Sequence, residues 1–130
     1  MSRFETRITA AVEDIDELGH VNNAVWVRWI QDVATAHWHA EADPAHSENY
    51  LWVVTRHEID YLRAVGPGET VTARTWVADA PRGARFDRHV EFVGEDGRPR
   101  VRARTTWAII DRSTGRPIRV PQDIVDRFAG

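Results

Sequence analysis

The stretch Val12-Glu13-Asp14-Ile15-Asp16-Glu17-Leu18-Gly19-His20-Val21-Asn22-Asn23-Ala24-Val25-Trp26-Val27-Arg28-Trp29 changes character partway along. As far as Gly19 it is acidic and aperiodic, and it reads as a loop ending in a glycine. Beyond it, from residue 22 to about residue 42, Trp26, Trp29, Ile30, Val33 and His37 recur at three and four, the spacing of one helical stripe. Asn22 or Asn23 suits the N-cap, because a short amide oxygen can accept from an orphan backbone N–H. Asp43-Pro44 stops the helix, and residues 45–49 read as a polar connector.

Upstream, Phe4, Thr6, Ile8, Ala10 and Val12 alternate with polar residues, the period of a half-buried strand. Downstream, Leu51, Val53, Thr55, His57, Ile59 and Tyr61 are predicted to share one face of a long strand, with Arg56, Glu58 and Asp60 opposite. Further strands are expected near 70–79, 84–94 and 100–111. Gly66-Pro67-Gly68, Glu95-Asp96-Gly97-Arg98 and Arg112-Ser113-Thr114-Gly115 supply the turns between and after them. Residues 121–128 suit a short terminal helix with Pro121 in its first turn. The expected architecture is α+β: one domain over residues 1–130, an antiparallel sheet of five or six strands wrapped around one long helix. Trp26, Trp29 and Trp38 lie on several sides of that helix, more than one sheet can cover, so a partner subunit is expected, most simply in a two-fold homodimer.

Composition narrows the classes. With 130 residues, 42% hydrophobic and 28% charged, the chain suits a single folded domain and not a disordered one. Cysteine is absent, which removes disulfides, thiolate metal sites and a cysteine nucleophile together. No apolar run approaches the roughly 20 residues that span a bilayer, and the start has no signal-peptide core; a cytoplasmic protein without membrane contact is expected. A net charge of −3 is too mild for a nucleic-acid partner. All 17 basic residues are Arg, and they are unevenly placed: residues 1–70 carry a net −7 and residues 71–130 a net +4. Arg100, Arg102 and Arg104 share one strand face, which reads first as a solvated sheet surface.

The quoted stretch also carries the chemistry. It aims carboxylates, an imidazole and two amides at a helix start, where unpaired N–H groups and the positive end of the helix dipole can stabilise a carbonyl oxygen. A carboxylate beside it can activate water as general base or attack as nucleophile. Taken alone, the same residues describe an ordinary capped loop in which Asp14 and Asp16 are solvated and Asn22 only caps.

The pattern Asp14-x-Asp16-x-x-Gly19-His20-Val21-Asn22-Asn23-Ala24-x-Trp26 resembles the signature of hotdog-fold acyl thioesterases, the 4-hydroxybenzoyl-CoA thioesterase-like group. Glu58-Ile59-Asp60-Tyr61-Leu62-Arg63-Ala64-Val65-Gly66-Pro67-Gly68-Glu69 is similar to that family's second strand and Gly-rich turn. Trp107-Ala108-Ile109-Ile110-Asp111 with Gly115-Arg116-Pro117 is similar to its last strand and turn. The resemblance covers about residues 4–127. It implies the hotdog fold, paired as homodimers and often homotetramers, and hydrolysis of coenzyme A or acyl-carrier-protein thioesters, without metal or separate cofactor, at sites on subunit interfaces. Asp16 matches the catalytic Asp, and His20 matches the His that follows it in plant-type acyl-carrier-protein thioesterases. Asn23 falls where some bacterial members place a His. Val12 stands where some of those carry Tyr, Leu18 replaces an Asn of the plant enzymes, and Trp26 replaces the usual Tyr. A hotdog dehydratase, or a non-catalytic acyl-CoA-binding or ligand-sensing module, is the alternative on the same fold.

On this reading the N–H groups of Val21 and Asn22 polarise the substrate carbonyl, while His20 and Asn23 orient the water or the loop. Arg82 and Arg85, flanking Gly83, form a candidate phosphate grip for coenzyme A, set against a plain hairpin with solvated Arg. Asp32 is an alternative carboxylate, expected to pair with Arg28 at i+4. His37 and His39 lie two apart, on different helix faces, and make a poor zinc pair even with His46 near in sequence. His57 is expected as a satisfied core or interface histidine.

Overall fold

A computed structural model describes residues 2–129. Strand β1 (Arg3–Thr9) leads through a single 3₁₀ turn (Val12–Asp14) to the long helix α1 (Asn23–Glu41). A short helix α2 (Pro44–Asn49) precedes β2 (Tyr50–Tyr61), β3 (Thr70–Val77), β4 (Arg85–Gly94), β5 (Pro99–Asp111) and the terminal helix α3 (Gln122–Phe128). The five strands form one antiparallel sheet in the order β1-β3-β4-β5-β2. Helix α1 lies on one face of it, so the α+β architecture expected from the sequence is present, with five strands.

The core follows from two periodicities meeting. Trp26, Trp29, Ile30, Val33 and Ala34 form the buried stripe of α1. Trp26, Trp29, Ile30 and Val33 meet Val71 and Ala73 of β3, Val90 and Phe92 of β4, and Val101 and Ala103 of β5. Trp26 stands edge-on to both Trp29 and Phe92, with ring centroids 5.0 Å apart in each pair. Burial of each such side chain is worth about 1.5–3 kcal/mol. Trp26 and Trp29 are therefore covered by the chain's own sheet, and do not by themselves demand a second subunit. A second cluster, with Val77, Phe86, Ile109, Ile124 and Phe128, fills the far end under α3.

Three local readings change. Residues 44–49 are helical, because Asp43 caps the Ala45 N–H at 2.9 Å and Pro44 starts the turn. In β2 the register slips between Val54 and Arg56. This bulge flips the face before Thr55: Trp52 and Val54 lie opposite Ile109 and Trp107, while Val53 is exposed. A strict period of two therefore misplaces Val53 and Thr55, both of which are exposed. The β4–β5 hairpin does follow its sequence signal: Gly97 takes φ +80, and the Asp96 carboxylate accepts the Arg98 N–H at 2.9 Å.

The outer face of the sheet accounts for the uneven arginines. Arg74 donates to Glu5 at 2.8 Å, Arg102 to Glu91 at 3.0 Å and Arg104 to Glu58 at 2.7 Å. Glu5 and Glu58 come from the acidic half and their arginine partners from the basic half. Exposed pairs of this kind contribute about 0–1 kcal/mol each, so the ladder sets complementarity more than stability. Among the described residues, no helix is long and apolar enough to cross a membrane.

Candidate active site

Between the 3₁₀ turn and α1, the chain folds back on itself. Ile15 pairs with Val21, the Asp16 N–H donates to the His20 carbonyl at 2.9 Å, and Gly19 turns the loop at φ +81. The Asp16 carboxylate sits inside this turn, half-buried. Its Oδ1 accepts the Leu18 N–H at 2.9 Å and, more weakly, the His20 N–H at 3.4 Å. Its Oδ2 accepts from no donor among the described residues. One oxygen holds the loop and the other remains open to a ligand. The imidazole of His20 and the amide of Asn23, from the same loop and the helix start that follows it, are exposed and make no hydrogen bond among the described residues.

The backbone donors differ from expectation. The Val21 N–H already donates to the Val65 carbonyl at 2.8 Å, and the Asn22 N–H to the Asp14 carbonyl at 3.0 Å. Neither is free to polarise a substrate carbonyl; both anchor the loop to its neighbours. Asn22 is the N-cap, its side chain accepting from Ala24 at 2.9 Å. The donor left without an acceptor at the start of α1, among the described residues, is the N–H of Asn23. Tyr61, at the end of β2, brings its hydroxyl to 3.5 Å from the Asn23 carbonyl. Sequence reading treats Tyr61 only as a strand residue, since nothing local in the chain signals its approach to the loop.

Asp14 is not a solvated loop residue. It is buried, accepts the Ala11 N–H at 2.9 Å and binds Arg28 at 3.0 Å. Arg28 thus pairs backward to Asp14, not forward to Asp32, which is exposed on α1. Arg82 is likewise engaged: its guanidinium forks onto the Asp87 carboxylate at 2.8 and 3.2 Å, and Thr106 donates to the same group at 2.7 Å. The Arg82 hydrogen bonds, aided by Thr106, hold the Asp87 carboxyl below its usual range. Arg85 lies across the same turn, exposed and without a side-chain partner among the described residues. The backbones of Arg82 and Arg85 pair directly across the turn, and the two arginines of the candidate phosphate grip differ in that Arg82 alone has its guanidinium engaged.

Residues 11–128 match the family model of the thioesterase-like superfamily. The chain belongs to that superfamily. Over 74 residues it is 26% identical to a chloroplastic acyl-[acyl-carrier-protein] hydrolase of Cuphea viscosissima. That match takes in 57% of this chain and 18% of the plant protein. An acyl-ACP thioesterase from Bacteroides thetaiotaomicron superposes with a TM-score of 0.85 at 22% identity, over 98% of this chain and 53% of that one. A hypothetical protein of Staphylococcus aureus, solved in complex with CoA, superposes at 0.86 with 18% identity, over 97% and 81% of the two chains. The fold is the hotdog shared with both structures.

The other end of α1 in this superfamily member holds polar groups that the sequence does not bring together. His37 is fully buried and accepts at Nδ1 from Arg88 Nη1 at 2.8 Å. Its Nε2 bonds to Glu41 and lies 2.8 Å from Ser2 Oγ. Arg88 also donates to Thr75 Oγ1 at 3.0 Å. Burial, reinforced by the Arg88 charge, lowers the His37 pKa and keeps the ring neutral. Burial brings Arg88 down to about 10. Burial raises Glu41, but the hydrogen bonds from Ser2 and His37 outweigh it and hold this carboxyl low. His57 donates or accepts at 2.8 Å with Thr105 Oγ1 on the inner sheet face, as a satisfied histidine should. His39 is exposed and His46 pairs with Asp123 at 2.9 Å, so the three histidines near the end of α1 do not converge. Among the described residues no group of three or more His, Asp or Glu gathers to hold a metal.

Proposed function

We propose that this chain hydrolyses acyl thioesters of coenzyme A or of acyl carrier protein to the free acid and the thiol, in the cytoplasm and without a cofactor. The observation that supports it is the Asp16 carboxylate: one oxygen locked in its own loop, the other open, beside the free Asn23 N–H at the positive end of α1. The Asn23 N–H and the helix dipole polarise the thioester carbonyl. Asp16 Oδ2 takes a proton from water, which adds to the carbonyl carbon as the C–S bond breaks and the proton passes to the departing thiolate; or it attacks that carbon itself, expelling the thiolate and leaving a mixed anhydride that water then hydrolyses to the free acid and the regenerated carboxylate. His20 and the Asn23 amide orient the water. Val21 and Asn22 shape the loop through their backbone bonds, and Arg85 meets a nucleotide phosphate while Arg82 braces the turn.

The working unit is a homodimer or a tetramer built from it. Strand β2 is the free edge beyond β5, twelve residues long, and its Val53 and Tyr61 are 41% and 44% exposed. A long edge of this kind is a ready partner for a second copy. Thiol release measured across a panel of acyl-CoAs, beside an acyl-carrier-protein substrate, tests the activity. Turnover on one carrier class is expected. Tight binding with no release from any substrate would instead identify a ligand-binding module.

A further inference from the structure

A pocket of about 210 Å³ opens between the second half of α1, helix α2 and the start of β2. Its depth is apolar. Ala34, Val77, Phe86 and Phe128 are buried, while Trp38 stacks on Phe128 at 5.4 Å and stands edge-on to Trp52 at 5.7 Å between ring centroids. Arg88, the buried cation of the lining, donates to His37 and Thr75. The remaining polar lining lies outward: Ser47 and Tyr50 are half-buried, and Thr35, His39 and Arg112 are exposed and mark the mouth. Thr35 and His39 continue, at i+4 and i+8, the helix stripe of Gln31, whose amide reaches His57 of β2 at 3.4 Å. The mouth therefore opens on the side of the free sheet edge.

An aromatic pocket with its polar groups toward the rim has the usual make-up of a small-molecule site. Yet it stands away from the reactive carboxylate of its own protomer. Ala34 is eleven residues along α1 from Asn23, about 16 Å at the helical rise. Along β2, Trp52 is nine residues from Tyr61, whose hydroxyl lies at the Asn23 carbonyl, so about 30 Å of extended strand separates them. Strand β2 is the free edge, and a two-fold dimer formed through it pairs the strand antiparallel with its own copy. Antiparallel pairing exchanges the ends. Centred on the middle of Tyr50–Tyr61, it sets Trp52 opposite Ile59 of the partner subunit, next to the end of β2 that meets the start of α1 there.

We propose that this pocket takes the acyl group of a thioester whose carbonyl meets Asp16 of the partner subunit, so that each site uses the second half of α1 from one copy and the start of α1 from the other. The inference rests on thioester hydrolysis as the activity and adds the acyl class to it. A cavity of about 150 Å³ holds one benzene ring, so this one closes on a ring and a few further atoms. It suits an aryl-substituted or short branched acyl group and stops a long chain at Phe86 and Phe128.

Two variants, read with phenylacetyl-CoA, test this. Asp16→Asn removes the carboxylate, and Thr35→Trp fills the mouth from an exposed helix position. Each alone is expected to lose about tenfold or more in kcat/KM. A heterodimer with one copy of each, isolated through two different tags, joins an intact carboxylate to an intact pocket at one of its two sites. It is expected to regain about half of parental turnover. A site contained within one protomer regains none, and that result, with an active parent chain, overturns the composite site alone. Ser47→Trp takes the place of Thr35→Trp if the latter does not form a dimer. The parent chain is expected to prefer phenylacetyl-CoA to palmitoyl-CoA by about tenfold or more in kcat/KM. The reverse order, parental turnover in both Thr35→Trp and Ser47→Trp, or a monomeric parent chain by light scattering overturns the proposal. No turnover of any thioester by the parent chain overturns the hydrolytic reading itself, and the proposal with it.

Discussion

The two ends of α1 handle polar groups in opposite ways. At its start, Asp16, His20 and Asn23 are exposed or half-buried, and the loop that carries them satisfies itself within a few residues. Toward its end, His37, Arg88 and Thr75 are buried among aromatic rings and hydrogen-bonded in a network drawn from four different elements or segments. The first arrangement leaves a carboxylate oxygen and an N–H open to chemistry. The second fixes protonation: a neutral His37 between a cation and an anion. On the proposed function, one helix therefore provides a reactive end and a closely packed, titration-sensitive end.

The sharpest way to break the contrast is at the reactive end. Asp16→Asn should lower kcat for thioester hydrolysis by about 10²–10⁴, the usual worth of acid–base assistance, with KM little changed. If Asp32→Asn abolishes turnover while Asp16→Asn retains it, the reactive carboxylate is the one on the exposed face of α1.

Asp14 stands two residues away yet belongs with the buried groups. Asp14→Ala strips the Ala11 N–H and Arg28 of their acceptor, and should cost about 1–3 kcal/mol, read as a lower Tm. A melt equal to the parent chain would show that Arg28 and the 3₁₀ turn hold without it.

The rigid end should show in pH dependence. The pKa of His37 is lowered in the folded chain, so between that lowered value and about 6.5 the unfolded chain binds the proton and the folded chain does not. Stability is then complete above about pH 6.5 and falls as pH drops through the window, by at most about 1.4 kcal/mol per unit for one site. The Tm of His37→Gln should vary less over pH 5–7, with a residual slope from His57, whose pKa burial also lowers. Identical slopes would place the linked proton elsewhere. The smallest effect belongs to the sheet's outer face: Arg102→Ala should shift stability by less than about 0.5 kcal/mol, because the pair it breaks is exposed.

This contrast also explains what the sequence could disclose. Asp16 to Asn23 are neighbours in the chain, so the loop, the N-cap at Asn22 and the helix behind it are legible as one string. The use of the Val21 and Asn22 N–H groups is not legible, because their acceptors, Val65 and Asp14, are set by tertiary packing and by the fold-back of the loop. The network at the other end draws on residues 2, 37, 41, 75 and 88, whose only common property is their position after folding. The face that β2 turns inward before Thr55 is illegible for a similar reason. A bulge is one extra residue relative to the partner strand β5, and it has no meaning until that partner is in place.

The outer charge ladder has a consequence for how the chain finds its fold. Residues 1–70 and 71–130 carry opposite net charge, and Glu5 and Glu58 of the first find Arg74 and Arg104 of the second. Divided at the Gly66-Pro67-Gly68 turn, the polypeptide becomes two fragments that attract over distance before any side chains interlock. Their reassembly should follow bimolecular kinetics that slow as ionic strength rises, because opposite fields accelerate encounter and salt screens them. Pairs that add little to the finished structure would then act earlier, as guides that bring the first and last parts of the polymer together.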